Sequence, residues 1–199
     1  ITDIDISQYK IIKNITKKKQ KKIFTIGSKQ SYLELIKHHY KDHKQIFQIK
    51  YKNKIYKITV NLIGKVQIKN ILMAMIAAEK SNIKFKKIVE SINKIKNANG
   101  RFEKIGYLKN NSKIILDYAH TPDALNNCLQ NLHEQFINRK ISIVFGCGGD
   151  RDKAKRAQMG KIVNKFCHKI YLTDDNPRFE NPKKIRLSIK KSINKTKLY

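Results

Sequence analysis

Ile141-Ser142-Ile143-Val144-Phe145-Gly146-Cys147-Gly148-Gly149-Asp150-Arg151-Asp152 runs from a short apolar segment into a glycine cluster and then into charge. The same order recurs on either side. Ile114-Ile115-Leu116 leads into Asp117-Tyr118-Ala119-His120-Thr121-Pro122-Asp123, and Ile170-Tyr171-Leu172 leads into Asp174-Asp175-Asn176-Pro177-Arg178. Short apolar runs of this kind read as buried parallel strands, and the segments between them have helical spacing. In an open α/β sheet the loops at the carboxyl ends of the strands converge on one crevice, where ligands bind. The polar clusters are therefore expected to form one site, with Asp117, Arg151 and Arg178 facing the same crevice.

Working outward, strand and helix are expected to alternate from Gly100 onward. The strands are Arg101–Tyr107, Ile114–Tyr118, Ile141–Phe145 and Ile170–Thr173, with helices starting near Thr121, Ala154 and Pro182. Thr121 before Pro122 and Asp123 is a strong helix start, joining an N-cap, a proline at the first helical position and an early acid. Leu125, Cys128, Leu129, Leu132 and Phe136 give that helix its apolar stripe. Upstream, Asn97-Ala98-Asn99-Gly100 is turn-rich and marks the expected domain boundary, separating residues 1–99 from 100–199. Residues 1–60 read as β-rich, with a strand at 22–27 and a hairpin of Ile46–Lys50 and Ile55–Val60 whose turn is Tyr51-Lys52-Asn53-Lys54. Gln67–Glu79 then switches to helical period, with Ile68, Ile71, Leu72, Met75 and Ile76 on one face. A second helix near Lys86–Lys96 is expected to turn Ile88, Val89, Ile92 and Ile95 inward.

The net charge of +29 over 199 residues would ordinarily suggest nucleic acid or an anionic membrane as partner. The excess, however, is spread along the whole chain as Lys accompanied by Ile and Asn, residues that share AT-rich codons, so base-composition drift accounts for it. Arg is scarce, and its placement inside two of the polar clusters is harder to attribute to drift. Cys128, Cys147 and Cys167 are odd in number and lack metal-ligand spacing, which fits reduced thiols. No apolar stretch approaches the roughly 20 residues a bilayer span needs, and residues 1–22 have no signal-peptide core. Ile1 in place of Met, and a last unit left open at Tyr199, lead us to expect a fragment.

The clusters admit two chemistries each. Gly146-Cys147-Gly148-Gly149 between strand and helix either presents backbone N–H groups to an oxyanion or makes a tight turn. Arg151 and Arg156 either grip that oxyanion or pair with Asp150 and Asp152. Asp117 either accepts a ribose diol or caps the next helix; because Thr121 already caps, the ligand role is favoured. His120 reads as a satisfied polar residue rather than a catalytic one. Asp175-Asn176-Pro177-Arg178 joins an acceptor, an amide and a fixed cation, a set suited to an amino acid, or else forms a surface Asx-Pro turn. Gly64-Lys65 lacks the Ser or Thr and the preceding glycine of a triphosphate-binding loop.

Gly100-Arg101-Phe102-Glu103 and the three clusters, in one collinear order from about Gly64 to Ser192, resemble the Mur ligases of peptidoglycan synthesis. The resemblance is to the members that add meso-diaminopimelate to UDP-N-acetylmuramoyl-L-alanyl-D-glutamate. It implies the end of a central ATPase domain followed by a Rossmann-like domain with a mainly parallel sheet. The implied enzyme is a cytoplasmic, monomeric, ATP- and Mg2+-dependent carbon–nitrogen ligase without nucleic-acid or membrane partners, working through an acyl phosphate. By position, Gln67 and Asn70 would lie near adenine, Arg101 and Asp117 would bind ATP, and Arg151, Asp175, Asn176, Pro177 and Arg178 would bind diaminopimelate. Gln67 departs from the family, which usually has Asn there. The phosphate-binding loop, the metal-binding acid, the carbamylated lysine and the UDP domain would precede Ile1, and the last diaminopimelate contacts would follow Tyr199. The chain alone is therefore expected to be inactive. Two alternatives are a folylpolyglutamate synthase-like ligase, against which the Asp-Asn-Pro-Arg loop argues, and a basic nucleic-acid-binding module.

Overall fold

The computed structural model describes residues 1–199 and gathers their apolar side chains into two separate clusters. These clusters belong to two units, Ile1–Phe102 and Glu103–Tyr199. The mixed α/β class expected from the sequence holds in both.

The first unit runs β1 (Thr2–Asp3), α1 (Tyr9–Lys18), β2 (Thr25–Gly27), β3 (Leu33–Lys41), β4 (Lys44–Tyr51), β5 (Lys54–Val60), α2 (Val66–Lys80) and α3 (Phe85–Ile92). Its strands lie side by side in chain order, parallel from β1 to β3 and antiparallel from β3 to β5. The β4–β5 hairpin closes where expected: Lys52 and Asn53 both take positive φ, 45° and 63°, which matches the twist of the flanking strands. Along β4, Gln45, Phe47, Ile49 and Tyr51 are buried at period two, and Phe47, Ile49 and Tyr51 join a cluster with Ile68, Ile71, Leu72, Met75 and Ile76 of α2. The fully buried Gln45 amide is satisfied, donating Nε2–H to the Leu62 and Gly64 carbonyls at 3.0 and 3.0 Å.

Two local expectations fail in this unit. Helix α1 interrupts the expected β-rich stretch; it buries no residue fully and leaves Ile11 62% and Ile15 47% exposed, while Tyr9, Ile12 and Thr16 form a half-buried face. Helix α3 ends at Ile92, which leaves Ile95 on the surface instead of inward.

The second unit runs β6 (Glu103–Tyr107), β7 (Lys113–Leu116), α4 (Pro122–Gln135), β8 (Ser142–Phe145), α5 (Ala154–Phe166), β9 (Lys169–Leu172) and α6 (Pro182–Lys190). Strands β8 and β9 are parallel, and Leu198 bridges Ile170 in parallel beyond them. The reading of Ile114-Ile115-Leu116 as a buried parallel strand is corrected: β7 pairs antiparallel with β6, and Ile114 and Leu116 are exposed. The connection explains it. A tight turn, with Leu108 N–H on the Ser112 carbonyl at 2.9 Å and Asn111 at φ 61°, is too short for a crossover and makes a hairpin. Nor are β8 and β9 buried on both faces, because Ile143, Phe145, Ile170 and Leu172 join the α4–α5–α6 cluster while Val144 stays 70% exposed.

Helix α4 starts as its sequence dictates, with Thr121 Oγ1 accepting the Ala124 N–H at 3.2 Å and Pro122 in the first turn. Asn181 and Pro182 start α6 in the same way. Gly160 lets α5 and α6 cross closely, since a Cβ there would lie 2.7 Å from the Ile189 carbonyl oxygen. Val163, Ile170 and Ile189 are fully buried at that junction, each contributing about 1.5–3 kcal/mol by removal from water.

Candidate functional site

The loops following β8 and β9 are locked into one another, and backbone geometry does most of the locking. Gly149 donates its N–H to the Asn176 carbonyl at 2.9 Å, and a Cβ on Gly149 would sit 1.9 Å from the Pro177 oxygen. A Cβ on Gly146 would lie 2.4 Å from the Thr173 oxygen. The glycines therefore serve close loop-on-loop approach. The expected presentation of loop N–H groups to an oxyanion is not what the structure shows at Gly149 and Asp150, because both amides are taken up by the neighbouring loop. Asp150 gives its N–H to Glu180 Oε1 at 2.7 Å.

Side chains complete the lock. Arg178 adopts φ 49°, an uncommon conformation for a long side chain, and donates Nη1–H to the Gly149 carbonyl at 2.7 Å. Asn176 Oδ1 accepts the Arg178 N–H at 3.2 Å, and Asp150 Oδ2 accepts the Phe179 N–H at 3.0 Å. Beneath these, Arg156 is 3% exposed and grips Glu180 with both ends of its guanidinium, Nη1 to Oε2 at 3.0 Å and Nη2 to Oε1 at 2.8 Å. The Arg156 hydrogen bonds, followed by the Asp150 N–H, pull the Glu180 carboxyl down to about 2. The pairing of Arg156 with Asp150 or Asp152 gives way to this partner. Glu180 is the residue sequence reasoning missed; the available signal was a buried-face arginine on α5, which requires a carboxylate nearby.

The expected diaminopimelate residues are thus brought together, with differing engagement. Pro177 is half-buried under Gly149, whereas Asp175, Asn176 and Arg178 are exposed; the Asp175 carboxylate lies near Gly148. Arg151 is exposed on the same β8 loop. The loop after β7 joins the group through Lys155, whose Nζ donates to the His120 carbonyl at 3.3 Å. In that loop Asp117 is half-buried and Oδ1 accepts the Ala119 N–H at 2.9 Å. Burial first, and then the charge and hydrogen bond of Asp117, push the Cys128 thiol up to about 12. All three cysteines are buried and unpaired.

The remaining expected residues belong to the first unit. Asn70 Nδ2 donates to Gln67 Oε1 at 3.2 Å, so the two amides form a pair one turn apart near the start of α2. Arg101 is exposed and precedes the buried Phe102, whose ring packs on Gly64: a Cβ there would meet it at 2.9 Å. Gly64 in turn accepts the Gln67 N–H at 3.0 Å. Gln67 and Asn70 thus sit together near the start of α2, and Phe102, the residue after Arg101, packs on Gly64 just before it. No group of three or more His, Cys, Asp or Glu side chains is arranged to hold a metal ion. No helix is long and apolar enough to cross a membrane.

Residues 100–198 match the family model of the Mur ligase glutamate ligase domain, and residues 1–78 match that of the Mur ligase middle domain. The UDP-N-acetylmuramoyl-L-alanyl-D-glutamate–2,6-diaminopimelate ligase of Rickettsia typhi is 38% identical over 196 residues, covering 97% of this chain and 38% of that protein. A solved structure of a ligase with the same name aligns at a TM-score of 0.65 and 28% identity, covering 98% of this chain and 41% of that one. A folylpolyglutamate synthase from Thermotoga maritima aligns at 0.74 with 22% identity, covering 96% of this chain and 43% of that one, a likeness of fold alone. The chain spans about two fifths of the length of the curated relatives it matches. Two matched units in the order of the motifs settle the affiliation: the chain belongs to the Mur ligase family.

Proposed function

We propose that this chain is the middle-to-C-terminal part of an ATP-dependent carbon–nitrogen ligase that adds meso-diaminopimelate to UDP-N-acetylmuramoyl-L-alanyl-D-glutamate in the cytoplasm. Residues 1–99 are the end of its ATP-binding domain and 100–199 its amino-acid-binding domain. The single observation that carries this reading is the locked pair of loops that holds Arg178 on the Gly149 carbonyl beside Asp175 and Asn176.

Diaminopimelate differs from lysine by one further carboxylate, so selecting it calls for a fixed cation that lysine cannot satisfy. Arg178, with Arg151 from the β8 loop, supplies that cation. Asp175 and the Asn176 amide suit an ammonium and its neighbouring carboxylate. On the nucleotide side, the Gln67–Asn70 amide pair offers both donor and acceptor to an adenine edge. By resemblance to the family, Asp117 of the second unit is assigned a ribose hydroxyl, and Arg101 of the first unit phosphate charge. The terminal carboxylate of the UDP-linked dipeptide takes the γ-phosphoryl group of ATP and releases ADP, and the amine of diaminopimelate then attacks the acyl carbon, so that the C–O bond to phosphate breaks, the amide forms, and phosphate and the amine proton leave. Mg2+ would be held by the ATP phosphates with an acid expected outside these residues, where it would neutralise phosphate charge.

The test is a chimera in which this chain replaces the matching region of the Rickettsia typhi relative, assayed for phosphate release. Release that requires ATP, the UDP-linked dipeptide and meso-diaminopimelate, with L-lysine inactive, is the expected result. Equal support by L-lysine, or support by glutamate alone, overturns the reading.

A further inference from the structure

We infer that Arg156 and Glu180 are positioning residues for amino-acid selection: their ion pair clamps the β8 and β9 loops together and so fixes where Arg178 presents its guanidinium. The inference deepens the proposed function and rests on it for the identity of the ligand.

Arg156 does not take the oxyanion-gripping role that was one of its two readings, because its Nη groups are engaged within the protein. Arg156 is 3% exposed, on the first turn of α5, with both Nη groups engaged, by Glu180 and by the Gly148 carbonyl at 3.4 Å, and with its buried Nε left without a partner. Glu180 lies just beyond Arg178 and Phe179, at the end of the β9 loop. Its two carboxylate oxygens do different work. Oε2 takes only guanidinium and lysine charge, from Arg156 at 3.0 Å and Lys153 at 3.9 Å. Oε1 takes both Arg156 Nη2 and the Asp150 N–H.

One carboxylate thereby anchors the helix, the glycine loop and the β9 loop at a common point. The glycine loop reciprocates: Asp150 Oδ2 holds the Phe179 N–H, and the Gly149 oxygen holds Arg178. Arg178 sits between these two anchors with a positive φ that it has no intrinsic reason to keep. If the clamp loosens, relaxation to an ordinary backbone conformation moves the guanidinium away from Gly149. A site that tells two carboxylates from one by a single cation is sensitive to that shift. A displacement of about 1 Å from a remote change can cost on the order of a hundredfold.

The planar fork of Arg156 matters as much as its charge, since a lysine ammonium cannot hold both oxygens at once. Glu180→Gln and Arg156→Lys are therefore expected to produce the same phenotype by different chemistry. The 15N-labelled chain is titrated with meso-diaminopimelate and with L-lysine, following Arg178 and Asn176 resonances, and exchange of the Gly149 and Asp150 amides is timed in the free protein. In both variants, diaminopimelate affinity is expected to fall roughly tenfold or more. L-lysine affinity stays within about twofold, so that discrimination collapses, while Gly149 and Asp150 exchange about tenfold faster or more. A purely structural role would weaken both ligands alike, and that result overturns the inference. Unchanged discrimination in both variants, or unchanged exchange at Gly149 and Asp150, overturns it too. Should the unmodified chain fail to prefer diaminopimelate, the proposed function fails, and the exchange rates alone decide whether the clamp holds the loops.

Discussion

Gly149 lies so close beneath Pro177 that a methyl group on its Cα would sit 1.9 Å from the proline carbonyl oxygen. The oxygen belongs to backbone, so neither partner can swing aside, and the loop that carries Arg178 would have to move. Gly149→Ala is expected to destabilise the second unit by about 1–3 kcal/mol or more. Gly106→Ala is the matched control, because a Cβ there meets nothing within 4 Å. It should change stability by no more than about 1 kcal/mol, in the stabilising direction. Urea unfolding followed by a second-unit probe separates the two.

Arg178 makes a different kind of contribution, since the residue is exposed and its guanidinium is anchored on a single carbonyl. Removing it should leave the fold intact and the nucleotide side untouched. Arg178→Ala in the chimeric ligase is expected to lose about 2–5 kcal/mol of diaminopimelate affinity with the KM for ATP unchanged. Equal losses for both substrates would count against its role as the selecting cation.

The legible parts of this chain were those where local chemistry and tertiary demand agree. Thr121-Pro122 specified a helix start by itself, Lys52-Asn53 a hairpin turn, and Ile68 to Ile76 a core-facing stripe; all three stand in the structure. Helix α1 was missed although Tyr9, Ile12 and Thr16 recur at helical spacing on its half-buried face, because Ile11 and Ile15, exposed on the surface, blur that stripe. Strand β7 was misread because an apolar run specifies burial less firmly than the length of the preceding turn specifies direction. In the loops after β8 and β9, the glycine cluster and the Asp-Asn-Pro-Arg run could be read, but the support that locks them together could not. Glu180 lies 24 positions from Arg156, and nothing in the spacing announces a pair that only the convergence of two loops creates.

The thiols test the packing of the second unit. Burial raises all three, with Cys128 and Cys167 pushed up to about 12, and for Cys128 the charge of Asp117 adds to the effect. A thiol held protonated and out of solvent is a poor nucleophile. In native protein at pH 8, iodoacetamide should leave Cys128, Cys147 and Cys167 essentially unmodified, whereas in urea all three should react. Rapid native modification at Cys147 would show by mass spectrometry that the glycine loop opens away from Met159, which its sulfur contacts at 3.7 Å.

Glu180 also makes the clamp pH-dependent, in a direction that can be worked out. Its ordinary value is 4.5, and the Arg156 hydrogen bonds, with the Asp150 N–H second, lower it to about 2 in the folded chain. The unfolded chain therefore binds its proton first as acid is added, so stability falls with falling pH. The contribution is fully present above about pH 5 and is lost progressively as the pH drops from there towards 2. Thermal melts of the second unit across that window should show a decline that Glu180→Gln lacks, its curve starting lower near neutrality and approaching the wild type in acid. Other carboxylates titrate in the same range, so the difference between the two proteins is the quantity to follow. A wild-type curve that stays parallel to the Glu180→Gln curve from pH 7 to pH 2 would mean that the carboxylate is not held by Arg156 in solution.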